Sequence, residues 1–151
     1  MKWFLLALIF IPMTVLSCPQ LAGKFSNCVS QNGSQSGTSS FTITQRLLNG
    51  ATVYTISTFD SETNSDITES VTANGSMITR TETDSETGMV IESSFQTTCK
   101  NNQLEIKSKA SASGQIIADY SMVFQKDGPA LKVVYSGVVF EEPINDIVTC
   151  Q

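Results

Sequence analysis

The pairs Asn49-Gly50 and Asn74-Gly75 each stand between two runs in which apolar and polar residues alternate. Both residue types tolerate positive φ, which a two-residue type I′ hairpin needs at its two central positions, so each pair predicts two antiparallel strands joined by a tight turn. Asn101-Asn102 and Asp127-Gly128 hold the same place between later runs. Nine strands follow, at 23–29, 41–48, 51–59, 67–72, 76–83, 89–98, 103–109, 115–125 and 130–140. Ser and Thr are spread along nearly the whole chain, which disfavours helix interiors. The branched Cβ of Thr suits a pleated, half-wet face.

Period-two alternation assigns faces. Leu104, Ile106 and Ser108 oppose Glu105, Lys107 and Lys109 in a core-in, charge-out strand. By the same phase Phe41, Ile43 and Leu47 share a face, as do Met89, Ile91 and Phe95, and Ile116, Tyr120, Met122 and Phe124. The run 130–140, with Tyr135, is apolar on both faces. Its outer side needs cover from the tail 141–151 or from a second subunit, and the tail needs no partner. Sequential hairpins of this kind predict an all-β fold, an antiparallel up-and-down meander of about 8–10 strands closed into a barrel, with a β-sandwich as the other architecture. The four tight turns fall at one end and the longer connections, 30–37, 60–66, 84–88 and 110–114, at the other. One closed end and one loop-bearing mouth is the anatomy of a barrel that receives a ligand.

Length sets a single domain, residues 18–151, behind a signal peptide at 1–17 in which Lys2 precedes an apolar run ending at Ser17-Cys18. No later stretch is long and apolar enough for a membrane helix. A secreted or periplasmic location is expected, and the partial lipobox 15–18 adds a lipid anchor at Cys18, as on an outer-membrane lipoprotein, as an alternative. Four Cys in an exported chain predict two disulfides. The chain carries no His and a net charge of −5, so it offers no Ser/His/Asp triad and no histidine metal site, and nucleic acid is not an expected partner. No pair of carboxylates is singled out for catalysis, and no enzyme, cofactor or metal is expected. Asp60, Glu62, Asn64 and Asp66 imitate the start of an EF-hand loop, but Ser65 and Val71 stand where its Gly and Glu belong, which leaves a solvated loop. Asn32-Gly33-Ser34 and Asn74-Gly75-Ser76 match the N-glycosylation sequon.

Residues 18–27, Cys-Pro-Gln-Leu-Ala-Gly-Lys-Phe-Ser-Asn, resemble the first strand of calycin-type barrels, the lipocalins and avidin-like proteins, with Phe25 in place of the Trp of their GxW element. That resemblance covers about ten residues. It implies an eight-stranded barrel, an apolar or vitamin-like ligand, no catalysis, and a ligand contact at Asn27. Secreted metalloprotease inhibitors are similar at the same start, which implies binding of a protein through one end. The mature chain has no Trp, against several in the avidin biotin pocket.

The function expected is binding without chemistry. A small apolar molecule is held by Phe41, Ile43, Phe95, Ile106, Tyr120, Met122 and Tyr135, which share the inward phase, with Asn27 added by the resemblance. A protein-interaction module with a packed lumen is the alternative. Residues 60–92 hold eight acids against Arg80, which predicts an acidic mouth, with Glu141 and Glu142 at the same rim, that attracts cationic partners. Strand direction pairs Cys18 with Cys99 at the tight-turn end and leaves Cys28 for Cys150 at the mouth, with the tail folded over the rim. The avidin-like resemblance implies the Cys18 to Cys99 bridge as well.

Overall fold

The computed structural model describes residues 18–32, 38–61, 64–85 and 87–151. The expected signal peptide at 1–17, Gly33 and Ser34 of one sequon, and Glu62 and Glu86 of the acidic loops lie outside them. The turn chemistry acts as expected at two of the four sites. Asn49 and Gly50 take φ of 50° and 79°, and Asn101 and Asn102 take 52° and 59°. At the fourth site the positive residue is Gly128, at 60°, followed by Pro129. Pro is held near −65°, so this is a type II′ turn one residue later than Asp127-Gly128.

All strands are antiparallel: β1 (Gly23–Phe25), β2 (Val29–Ser30), β3 (Thr38–Leu48), β4 (Ala51–Asp60), β5 (Ser65–Ala73), β6 (Met77–Thr83), β7 (Val90–Lys100), β8 (Gln103–Ala112), β9 (Gln115–Asp127), β10 (Ala130–Val139) and β11 (Glu142–Cys150). They form two sheets, ordered β1-β3-β4-β5 and β2-β11-β10-β9-β8-β7-β6. The expected strand 23–29 breaks at Asn27, where φ is 50°, and its two halves enter different sheets. The sheets therefore meet along β1 and β2 and stand apart along β5 and β6. The closed barrel is corrected here: Asn74-Gly75 joins two strands that do not pair, and a seam takes the place of the expected hairpin.

The tail is corrected too. Residues 142–150 pair along the whole of β10, from Val139 opposite Glu142 to Leu131 opposite Cys150, instead of covering its outer face. Phe140 and Glu141 make this turn with φ of 48° and 66°, a conformation that bulky residues adopt at a cost. Phase slips at a bulge between Ala110 and Ser111, which turns Ile116 outward, and Leu47, beyond the core at the turn end, is also exposed. Met89 precedes β7 and is likewise exposed.

Apolar inward residues of both sheets pack into one core that includes Phe25, Phe41, Ile43, Tyr54, Leu104, Phe124, Leu131 and Val148. Phe41 meets Phe124 edge to face across the sheets, 6.1 Å between centroids. Residues 18–21 plug the end where the turns are tight. Pro19 and Leu21 are fully buried, the Tyr54 hydroxyl donates to the Pro19 carbonyl at 2.7 Å, and the Leu21 N–H donates to Gln45 Oε1 at 3.1 Å. Cys18 bonds Cys99, and Cys28 bonds Cys150. Both pairings are those expected, but β11 brings Cys150 back beside Leu131 and the Gly128 turn, so the second bridge is not at the mouth. A Cys18 sulfur bonded to Cys99 has no valence left for a lipid thioether.

Gly137 sits opposite Tyr120 with φ of 142°, and a Cβ there would lie 2.3 Å from the Asp119 carbonyl oxygen. Gly137→Ala should cost roughly 2–4 kcal/mol, because backbone on the neighbouring strand cannot step aside as a side chain can. Urea unfolding checks this, and an unchanged midpoint would refute the close approach.

Candidate functional site

The core fills the plugged end, and toward the other end the inward residues shrink to Ser, Thr and Ala: Thr58, Ser93, Ser108, Ala110 and Ala118. Small side chains leave space. An inner cavity of ≈ 300 Å³ lies between the sheets, floored by Phe41, Ile56, Met122 and Phe124 and walled by Tyr120 and Tyr135. It runs into an outer cavity of ≈ 540 Å³ along the seam, where Glu69 and Val71 of β5 face Ile78 and Arg80 of β6. Ile106, Tyr120, Met122, Glu69 and Val71 line both.

Of the residues expected to meet a ligand, Phe41, Ile106, Tyr120, Met122 and Tyr135 line the inner cavity, and Phe95 lines the outer one. Two do not. Ile43 is packed in the core below the cavity floor, and Asn27 is exposed at the bend between β1 and β2, lining neither cavity. A positive φ at that bend, which Asn accepts readily, is reason enough for its residue type. Ile56, Thr58, Glu69, Val71 and Arg80 were not among the candidates. Alternation along 67–73 already puts Glu69 and Val71 in phase with Ile67, and the charge at 69 obscured the pattern.

Electrostatics divide the site. Arg80 lies over the Phe95 ring, 5.7 Å from its centroid, where the aromatic face attracts a cation. Asp146 is buried among inward residues, opposite Tyr135 in register. Its carboxylate accepts from Ser30 Oγ at 2.8 and 2.7 Å, from the Ile147 N–H at 2.8 Å and from the Asn32 N–H at 3.4 Å. The Asn32 side-chain amide donates to the Asn145 carbonyl, so the chain after β2 is tied to β11. A carboxylate with that many donors is a satisfied structural group. Asp60, Asp66, Asp84, Glu141 and Glu142 lie at the end with the longer connections, at or beside strand ends. Among the described residues no group of three or more His, Cys, Asp or Glu is placed to hold a metal ion.

Burial pushes the Tyr135 phenol up to about 12, with the neighbouring Tyr120 and the Asp146 carboxylate adding to the shift, and burial alone pushes Tyr54 up to about 12. In the unfolded chain both ionise near 10.0. Between these values the unfolded state has lost protons that the native state keeps, so stability is whole below pH 10 and falls as pH rises toward 12. Each phenol contributes up to about 1.4 kcal/mol per pH unit to that loss. Unfolding midpoints measured across the range should fall steeply for the native sequence and less steeply for Tyr54→Phe/Tyr135→Phe. Equal slopes would refute the assignment.

Compared with protein-family models, curated proteins and solved structures, the chain matches none. The chemistry of the lumen therefore has to carry the functional reading.

Proposed function

We propose that this chain is a secreted binding protein that holds a small, largely apolar molecule between its sheets, without catalysis. One observation carries the reading: the inner cavity of ≈ 300 Å³ has an aromatic and aliphatic floor, and it opens onto a seam lined by hydroxyls and two opposite charges, Glu69 and Arg80. Ligand sites combine apolar lining with a few polar groups in this way. The shape of the lumen fits an amphipathic molecule with its apolar part on Phe41, Met122 and Tyr135 and its polar part at the seam. Two disulfides fit an oxidising compartment, and no described helix is long and apolar enough to cross a membrane. A calycin-like origin belongs to the same proposal, supported by the start 18–27, the sequential order of β3 to β5 and of β6 to β11, and a first segment whose two halves, β1 and β2, each edge one sheet.

A second reading, a protein-interaction module, is favoured by Phe140, 72% exposed in its positive-φ turn, with Val138 and Ile116 exposed nearby on neighbouring strands.

Mass spectrometry of solvent extracts from purified protein, with titration of an anilinonaphthalene dye, tests the first reading. The native sequence should bind, and Met122→Trp, whose larger ring intrudes on the space the two cavities share, should bind at least about ten-fold more weakly with an unchanged unfolding midpoint. Empty extracts and no dye uptake would sink the ligand reading and leave the interaction module. Equal binding by Met122→Trp would place the ligand elsewhere.

A further inference from the structure

The two Asn-Gly pairs behave differently. At Asn49-Gly50 both residues have positive φ, and β3 and β4 pair from Leu48 opposite Ala51 onward. At Asn74-Gly75 only Gly75 is positive, at 75°, and β5 and β6 do not pair. The turn is instead anchored to β7: the Gly75 N–H donates to the Thr97 carbonyl and Gln96 Nε2 to the Gly75 carbonyl, both at 2.9 Å. The Ser76 N–H donates to Asn74 Oδ1, also at 2.9 Å.

The sequences of β5 and β6 nevertheless match one another as a hairpin. A two-residue turn at 74–75 fixes the register, with Val71 opposite Ile78 and Glu69 opposite Arg80 on the inward face, and Ser70 opposite Thr79 and Thr68 opposite Thr81 on the outward face. Two of the inward pairs are apolar with apolar and acid with base, the combinations that favour cross-strand pairing, and the one at the far end of the strands sets Ile67 opposite Glu82. The outward pairs extend hydroxyl rows that the sheet already has: Thr55 bonds Ser70 at 2.9 Å, and Ser57 bonds Thr68 at 2.8 Å. In the same register Thr44 faces Thr55 and Thr42 faces Ser57, so each row would run across four strands. No salt bridge joins Glu69 to Arg80 in the structure, where Arg80 rests on Phe95.

We propose that the seam is a gate, open as seen here and closed when β5 and β6 zip together in that register, with Asn74 turning into the left-handed region that Asn49 already occupies. Asn enters that region more easily than almost any other residue with a side chain, so the turn itself adds little strain, and the cost of closure lies in the bonds that tie Gly75 to Thr97 and Gln96. Closure seals the lumen sideways and brings Glu69 onto Arg80. What the gate seals in rests on the ligand reading above; the two-state pairing does not.

Thiols placed in and out of register test this in the ligand-free protein. In Ser70→Cys/Thr79→Cys the two positions face each other when the gate is closed. In Ser70→Cys/Thr81→Cys they lie on the same outward face one pair out of step. Under mild oxidation, with both native disulfides verified by peptide mapping, the in-register pair should bridge at least ten-fold faster. Equal rates, or no bridge in either, overturn the gate. The bridged in-register protein should then take up the anilinonaphthalene dye at least ten-fold more slowly than the native sequence, and an unchanged rate overturns the seam as the entrance. If neither protein binds dye, the ligand reading falls, and the gate is decided by the bridging rates alone.

Discussion

The two sheets are held together at one end by residues 18–21, and the rest of the architecture depends on that clamp. Backbone ladders stabilise each sheet internally but do not join the two faces. Cys18 is bonded to β7 of the larger sheet, while Tyr54 and Gln45 of the smaller sheet bond the backbone at Pro19 and Leu21. The second bridge ties the bend between β1 and β2 to β11. These bridges span 81 and 122 residues, which in the chain-entropy model amounts to about 4–5 kcal/mol each. Fastened at the plug, the sheets pack tightly there. Farther along, nothing of comparable strength draws β5 onto β6, and the lumen and seam occupy the unfastened part.

The elements legible in the sequence were those set by local rules. Asn49-Gly50 and Asn101-Asn102 fix their hairpins because the residues that tolerate positive φ are the ones placed in the turn, and alternation along β8 separates Leu104 and Ile106 from the lysines between them. Three features were not legible, each because a distant contact overrides a local preference. Turn chemistry at Asn74-Gly75 states that a hairpin is allowed, whereas the bonds of Gly75 to β7 decide that the strands diverge. Phe140-Glu141 has no turn signature at all, and pairing along the whole of β11 imposes the conformation on it. The bulge between Ala110 and Ser111 shifts the phase by one, so the alternation that correctly turned Tyr120 inward wrongly turned Ile116 inward with it.

The same reasoning separates the cavity residues found from those missed. Phe41, Ile106, Tyr120 and Met122 follow from inward phase on strands with ordinary alternation. Ile43 shares that phase but sits lower, against the plug, and phase carries no information about height within the lumen. Glu69 and Arg80 are inward charges on edge strands, which read as outward residues in any scheme that equates inward with apolar. Asp146 shares the phase of Ile144, Val148 and Cys150, a pattern visible only once 142–150 is treated as a strand.

An open seam exposes two strand edges, and such edges recruit other chains unless something opposes it. Here the opposition is the placement of charge. Glu69 on β5 and Arg80 and Glu82 on β6 point to the inner side of the edges, where an added strand would have to bury them unpaired. Burying a charge without a partner costs far more than the few backbone bonds a stray strand brings. Within the chain, β5 and β6 present complementary charges at the matching height, Glu69 for Arg80, while Glu82 falls opposite Ile67 near the ends of the strands. The charges that keep foreign strands out are thus the ones that let the two edges accept each other, and they meet above the apolar floor at which a ligand would lie.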